Sequence, residues 1–116
     1  MKSVDTLKFT DTKPYDKRID ETIKKTELMD AIRWGTGEIN KLPCVIACMD
    51  FSFIGGSMGS VVGEKICRAV DKSIKTRTPL FIVSSSGGAR MMEGGISLMQ
   101  LAKISARLAK LAEEKV

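Results

Sequence analysis

The 116-residue sequence contains no histidine. That removes Ser-His-Asp and Cys-His nucleophile pairs and every metal site built on imidazole. Side-chain acid–base work in such a chain falls to carboxylates, lysines, Tyr15 or the substrate itself. Aromatic residues make up only 5%, and they do not interleave with basic ones, so a stacking surface for single-stranded nucleic acid is not favoured. No apolar run approaches the roughly 20 residues that span a bilayer. Met1-Lys2-Ser3-Val4-Asp5 opens no apolar signal segment. The expectation is a soluble intracellular protein with no membrane partner. Three cysteines, Cys44, Cys48 and Cys67, are too few and too odd in number for a disulfide framework or a zinc site, so no metal is expected. Cys44 and Cys48 are expected on one side of a strand as small buried hydrophobes.

What is present reads as one small α/β domain. After a polar N-terminal stretch, Lys13-Pro14-Tyr15 forces an extended or turn conformation, and Asp16 is placed to cap a helix over about 17–28 with Ile19 and Ile23 inward. Ala31 to Trp34 is a short strand ended by Gly35-Thr36-Gly37, with Glu38 to Pro43 as a hairpin turn. Cys44 to Phe51 is a nearly continuous apolar strand of the kind buried on both faces. A helix follows to about Thr76, with Ser60 as its candidate cap and Val62, Ile66, Ala69, Val70 and Ile74 as its apolar stripe. Leu80 to Val83 is a second buried strand. The last helix, about Gly95 to Glu113, carries Leu98, Leu101, Ile104, Leu108 and Leu111 inward and Lys103, Arg107 and Lys110 outward. Strand, helix, strand, helix implies a parallel pair, with residues 1–30 as an arm and 31–116 as the domain proper.

The net charge is +5, and Lys65, Arg68, Lys72, Lys75 and Arg77 fall on one helix against Glu64 and Asp71. Such a face is either solvated or meets a polyanionic small ligand or nucleic acid.

Two stretches stand out. Gly55-Gly56-Ser57-Met58-Gly59 and Ser84-Ser85-Ser86-Gly87-Gly88-Ala89-Arg90 each follow an apolar strand and open a helix. Both turns therefore fall at carboxyl ends of strands, where open α/β sheets bind ligands. Glycine here serves either a tight turn with close strand–helix packing, or backbone N–H groups aimed at an anion beside a helix N-terminus. The Walker spacing fails at Gly59 to Lys65, which lacks Gly-Lys-Ser/Thr, and the dinucleotide fingerprint fails because Asn40 stands where its third glycine should be. Ser84-Ser85-Ser86-Gly87 is no nucleophile elbow.

Met49-Asp50-Phe51-Ser52-Phe53-Ile54-Gly55-Gly56-Ser57-Met58-Gly59-Ser60-Val61-Val62-Gly63-Glu64-Lys65 closely resembles the carboxyltransferase beta subunits of bacterial and plastid acetyl-CoA carboxylase. Ser86-Gly87-Gly88-Ala89-Arg90-Met91-Met92-Glu93-Gly94 does too, although the family usually has Gln at Met92, and so do Phe9 to Tyr15 and Gly37 to Asn40. The resemblance implies a crotonase-like (ClpP/crotonase) α/β fold of ββα units wound into a superhelix. It implies transfer of a carboxyl group from carboxybiotin, carried on a separate protein, to acetyl-CoA, giving malonyl-CoA for fatty acid synthesis. It implies biotin as cofactor, an alpha carboxyltransferase subunit in a heterotetramer, a biotin carboxyl carrier protein and a biotin carboxylase as partners, and a cytoplasmic or plastid-stromal setting. Gly87, Gly88 and Ala89 are then expected as backbone oxyanion donors, Arg90 as an anchor of the turn or a contact to a CoA phosphate, and Gly55, Gly56, Ser57 and Met58 as the neighbouring wall. The family's four-cysteine zinc ribbon and its later Gly-Gly motif have no counterpart in these residues. The expectation is a partial, incomplete superhelix that does not turn over alone. The alternatives are a CoA-binding or assembly module of the same fold, a carboxyltransferase for another acyl-CoA, and a basic nucleic-acid-binding domain.

Overall fold

Asn40 and Lys41 both take positive φ, 52° and 65°, and turn the chain between two strands. A two-residue loop of this hand matches the twist of the strands it joins. The strands are β1 (Ile32–Ile39) and β2 (Leu42–Met49), antiparallel from Ile39–Leu42 back to Ile32–Met49. The hairpin turn is thus shorter than the expected Glu38–Pro43 span. Gly35-Thr36-Gly37 lies within β1 and does not end it. A Cβ at either glycine would meet nothing within 4 Å, so the strand runs through them on an open face.

The computed structural model describes Met1–Val116, with helix α1 (Tyr15–Thr26) before the hairpin and α2 (Ser60–Thr76), β3 (Leu80–Val83) and α3 (Gly95–Glu113) after it. β3 pairs parallel with β2, Val45 opposite Leu80, giving a three-stranded mixed sheet in the order β1-β2-β3. Short 3-10 turns at Ile54–Gly56 and Met91–Glu93 lie within the two glycine-rich connections.

The core lies between one sheet face and α2. Ile32, Val45, Ala47 and Met49 pack against Val62, Ile66, Ala69 and Val70, with Leu28, Ala31 and Phe53 closing the end. The expected α2 stripe is therefore the buried one, and Ile74 packs at its edge. β2 is not covered on both faces. Ile46 is half-buried and Cys48 exposed, with Phe81 and Val83 exposed beside them. Cys44 is buried and Cys48 is not, so the pair shares a strand face but not an environment.

Helix α1 starts two residues before its expected start. Pro14 stands at its cap position, and Asp16 reaches only the Lys17 amide. Proline fixes φ and lacks the N–H that a first turn leaves unpaired, so the helix starts directly after it. Tyr15 and Ile19 pack with Met92, tying α1 to the second glycine connection.

Helix α3 has the expected span but is turned about its axis. Ser97 and Gln100 are buried, Ile104 and Leu111 are half-buried, and Leu98 and Leu101 are 60% and 49% exposed. The cause is polar and steric. Ser97 Oγ donates to the Arg90 carbonyl at 2.5 Å, and Gln100 settles against Gly63 of α2, where any Cβ would lie 2.1 Å from its Oε1. The expected outward lysine and arginine instead flank the seam, Lys103 pairing with Glu64 at 3.0 Å and Arg107 with Asp71 at 3.5 Å. Much of the basic face of α2 is likewise engaged. Arg68 bonds Glu64, Arg77 bonds the Glu114 carbonyl, and Lys65 Nζ donates to the Ile32 carbonyl at 2.8 Å.

Candidate functional site

The two glycine turns meet at the carboxyl ends of β2 and β3. The Gly87 N–H donates to the Gly55 carbonyl at 2.8 Å, the Met58 N–H to the Gly88 carbonyl at 2.8 Å, and the Arg90 N–H to the Met58 carbonyl at 2.9 Å. Met58 and Ala89 thus form an isolated parallel bridge that continues the β2–β3 pairing beyond the strands. Gly56 makes the close approach possible. Its φ is +63°, and a Cβ there would lie 2.1 Å from the Ser85 carbonyl oxygen.

The three expected donors separate. Gly87 N–H is engaged by Gly55 and is not free for an anion. Gly88, at φ +112°, donates to the Ser86 hydroxyl at 3.0 Å. Ala89 is exposed, and its N–H has no partner in the chain. Gly55, Ser57 and Met58 line the facing edge, half-exposed, with Gly56 buried behind them. The turns form an open shelf. The hollows of the surface lie elsewhere, one of about 230 Å³ beside Lys2, Ser3, Asp5, Asp16 and Ile19.

Arg90 lies under this shelf and is 0% exposed. Its guanidinium forks onto Asp30, Nη2 to Oδ1 at 2.7 Å and Nη1 to Oδ2 at 3.2 Å. Nε donates to Ser57 Oγ at 2.9 Å and Nη2 to the Ser57 carbonyl at 2.8 Å. Nη1 also reaches Ser3 Oγ, Tyr15 Oη and Glu93 Oε1. The Phe53 ring lies 5.5 Å from its Cζ. Of the two roles left open for Arg90, the structure gives it that of anchor. Its donors are spent inside, and no part of it faces a phosphate.

Glu93 completes the cluster. Tyr15 Oη donates to Oε1 at 2.6 Å, and the Ser60 N–H donates to Oε2 at 2.6 Å. Ser60 does not cap α2 with its own side chain; Gly59 holds the cap position and the Glu93 carboxylate takes the first helical amide. A carboxylate at that end is favoured by the helix dipole. Burial pushes the Glu93 pKa up, but the Tyr15 hydroxyl, the Ser60 amide and Arg90 outweigh it and hold the carboxyl below its usual range. For Tyr15 burial wins, and its phenol is pushed well above its ordinary value. Burial also opposes the charge of Arg90, and the Asp30 carboxylate overrides it. Lys65 is shifted down by burial, against the pull of Asp30. Two buried carboxylates thus answer one guanidinium and one helix terminus. Removing one member of such a set typically costs about 3–5 kcal/mol.

Asp30, Glu93, Tyr15 and Ser3 carry this cluster, and sequence reasoning missed their roles. Glu93 stood inside a quoted motif, which was its only signal; Asp30 and Ser3 had none.

Residues 5–116 match the model of the family described as the carboxyl transferase domain. The chain belongs to that family. It is 59% identical over 114 residues to the acetyl-coenzyme A carboxylase carboxyl transferase subunit beta of Pedobacter heparinus, covering 98% of this chain and 41% of that relative. It is 56% identical over 114 residues to the protein of the same name from Amoebophilus asiaticus, again 98% of this chain and 41% of the relative. This carboxyl transferase chain thus spans about two-fifths of the curated relatives it matches, 41% of each of these two. Among solved structures it is similar to transcarboxylase 12S with methylmalonyl-coenzyme A bound, at 33% identity and TM-score 0.68 over 70% of this chain and 16% of that one. It is also similar to the Pseudomonas malonate decarboxylase MdcD–MdcE hetero-dimer, at 28% identity and TM-score 0.67 over 75% of this chain and 40% of that one. The fold is the crotonase-like α/β fold of these carboxyl transferase neighbours, here a ββα unit followed by a second strand and helix. No helix is long and apolar enough to cross a membrane.

Proposed function

We propose that this chain supplies one wall of a biotin-dependent carboxyltransferase site that moves a carboxyl group between carboxybiotin and acetyl-CoA, with malonyl-CoA as the carboxylated product. The observation that carries the reading is the unpaired N–H of Ala89, held at the mouth of two stitched glycine turns. The names of relatives that align with nearly all of this chain support the choice of acyl group.

The donors present fit the need. An enolate or ureido oxyanion requires fixed N–H groups and no titrating side chain. Ala89 N–H is free, and Gly88 N–H is held only by a hydroxyl that rotation can withdraw. Both turns are backbone-locked, so little reorganisation accompanies charge development. Carboxybiotin, when bound, supplies the carboxyl group, and its ureido nitrogen is the base for the acetyl methyl group. The chain's own part is to hold the reacting carbonyl against Ala89 and to keep the wall of Gly55, Ser57 and Met58 in place. Arg90 supports that wall from beneath. The alpha subunit, the biotin carboxyl carrier protein and the biotin carboxylase are the partners this reading entails, in a cytoplasmic or stromal setting.

The test uses the full-length subunit assembled with its alpha partner. Malonyl-CoA and free biotin are supplied, and acetyl-CoA is measured. Biotin-dependent formation of acetyl-CoA supports the reading; its absence from the assembled enzyme overturns it. A preference for methylmalonyl-CoA would move the assignment to another acyl group.

A further inference from the structure

Arg90 and Glu93 leave the second glycine turn three residues apart and grip the first turn at two points. Arg90 takes the carbonyl and hydroxyl of Ser57, and Glu93 takes the N–H of Ser60. Met58 and Gly59 lie between those grips, and Met58 is the residue bridged to Ala89. Gly59 is pressed against the Glu93 carboxylate, where a Cβ would lie 2.6 Å from Oε1. Asp30, just before β1, braces Arg90 from the far side with both oxygens, and Tyr15 ties Glu93 to α1.

We propose that Asp30 and Glu93 are positioning residues: acting through Arg90 and Ser60, they fix the separation of the two glycine turns and so the direction of the Ala89 N–H. The proposal rests on the carboxyltransferase reading for its link to catalysis, but not for the clamp itself.

The geometry supports a positioning role over mere cohesion. The main core between the sheet and α2 is apolar and meets this cluster at Phe53, whose ring lies 5.5 Å from Arg90 Cζ. A buried ionic set contributes little net stability relative to apolar residues, but it admits one arrangement of its donors and acceptors. Here that arrangement ends on the atoms flanking Met58. The three inter-turn hydrogen bonds lie near the surface, beyond the last β2–β3 pair at Cys48 and Val83, and the clamp adds a side-chain grip on either side of Met58.

The test compares the full-length, assembled enzyme with its Glu93→Gln and Asp30→Asn variants, and with Tyr15→Phe, which keeps both ion pairs and guards against loss of folding. Amide hydrogen exchange reads the clamp without reference to activity. The expected result is a loss of protection of about tenfold or more at Met58, Gly87 and Arg90, with the β1 and β2 amides and those of α2 beyond its first turn unchanged. In the same variants kcat falls at least about tenfold while KM for the acyl-CoA stays within about twofold, and Tyr15→Phe shifts both readouts in the same direction by less. Unchanged protection at Met58, Gly87 and Arg90 overturns the proposal. Loss of protection with unchanged kcat overturns its catalytic half. If the unmutated enzyme transfers no carboxyl group, the functional reading fails, and the exchange data still decide the clamp.

Discussion

The Gly56 α-carbon lies so close to the Ser85 backbone that a Cβ would sit 2.1 Å from the Ser85 carbonyl oxygen. Gly56 also has φ +63°, in the left-handed region that side chains resist. Gly56→Ala meets both penalties at once, and a carbonyl, unlike a side chain, has no rotamer to escape into. The left-handed conformation alone costs about 1–2 kcal/mol. The variant is expected to lose at least about 2 kcal/mol in urea unfolding, read from the fluorescence of the single tryptophan, Trp34. A loss below about 0.5 kcal/mol would show that the turns are not packed as described.

Glycine does two opposite things elsewhere in the chain. Gly63→Ala puts a methyl group 2.8 Å from Gln100 Cβ, a contact that no side-chain rotation relieves. Overpacking of this kind costs about 1–3 kcal/mol, more than the helix propensity alanine gains. Gly35→Ala adds a methyl group with nothing within 4 Å, in a strand, and is expected to stabilise by about 0.5 kcal/mol. Thermal midpoints of the two variants should move in opposite directions, and Gln100→Ala should not rescue Gly63→Ala.

Tyr15 is the sole tyrosine, so phenolate absorbance reports it alone. Its folded pKa is raised above the ordinary value of 10.0, by burial first. A group that holds its proton more tightly when folded contributes stability that is whole below about pH 10 and is lost as pH rises through the folded value. Phenolate absorbance is therefore expected to appear later than for free tyrosine and together with the loss of structure. A normal titration near pH 10 in the folded protein would place the hydroxyl outside the Arg90–Glu93 cluster.

The acid side carries the reverse sign. The Glu93 carboxyl is held below the usual 4.5, so its contribution is whole above about pH 4.5 and is lost as pH falls through the folded value. Glu93→Gln should lower the thermal midpoint at neutral pH and flatten its fall on acidification. Glu64, also held low by Arg68 and Lys103, leaves some acid dependence in the variant. An unchanged acid profile would remove Glu93 from the linkage.

The legible parts of the fold were those where local pattern and tertiary environment agree. The stripe of α2 follows from periodicity because apolar packing decides it, and the spans of β3 and α3 match the apolar run and the helical spacing of their residues. The two glycine turns were legible as a motif, and their meeting at one end of the sheet followed from strand order. Three features escaped. Gly35 and Gly37 look like strand breakers, yet they sit on an open face where nothing penalises them. The partition of the donors was invisible because Gly87 is bound by a carbonyl from the other turn. The Arg90 cluster joins Ser3, Tyr15, Asp30, Ser57 and Glu93, residues from five separate stretches, and buried charge has no period.

Helix α3 shows what periodicity cannot decide. Leu98, Leu101 and Leu108 fit an inward stripe by spacing, but Ser97 and Gln100 hold the inward face through the Arg90 carbonyl and the notch at Gly63. The leucines are consequently exposed and Ile104 is half-buried. Leu98→Gln and Leu101→Gln should each change unfolding stability by less than about 0.5 kcal/mol in this chain, as surface substitutions do. Ile104→Ala should cost about 1–2 kcal/mol, below the range for a wholly buried site. Were α3 seated on its leucine stripe, the order would invert, since a buried glutamine without partners costs more than a lost half-buried isoleucine. Urea midpoints of the three variants decide between the two seatings.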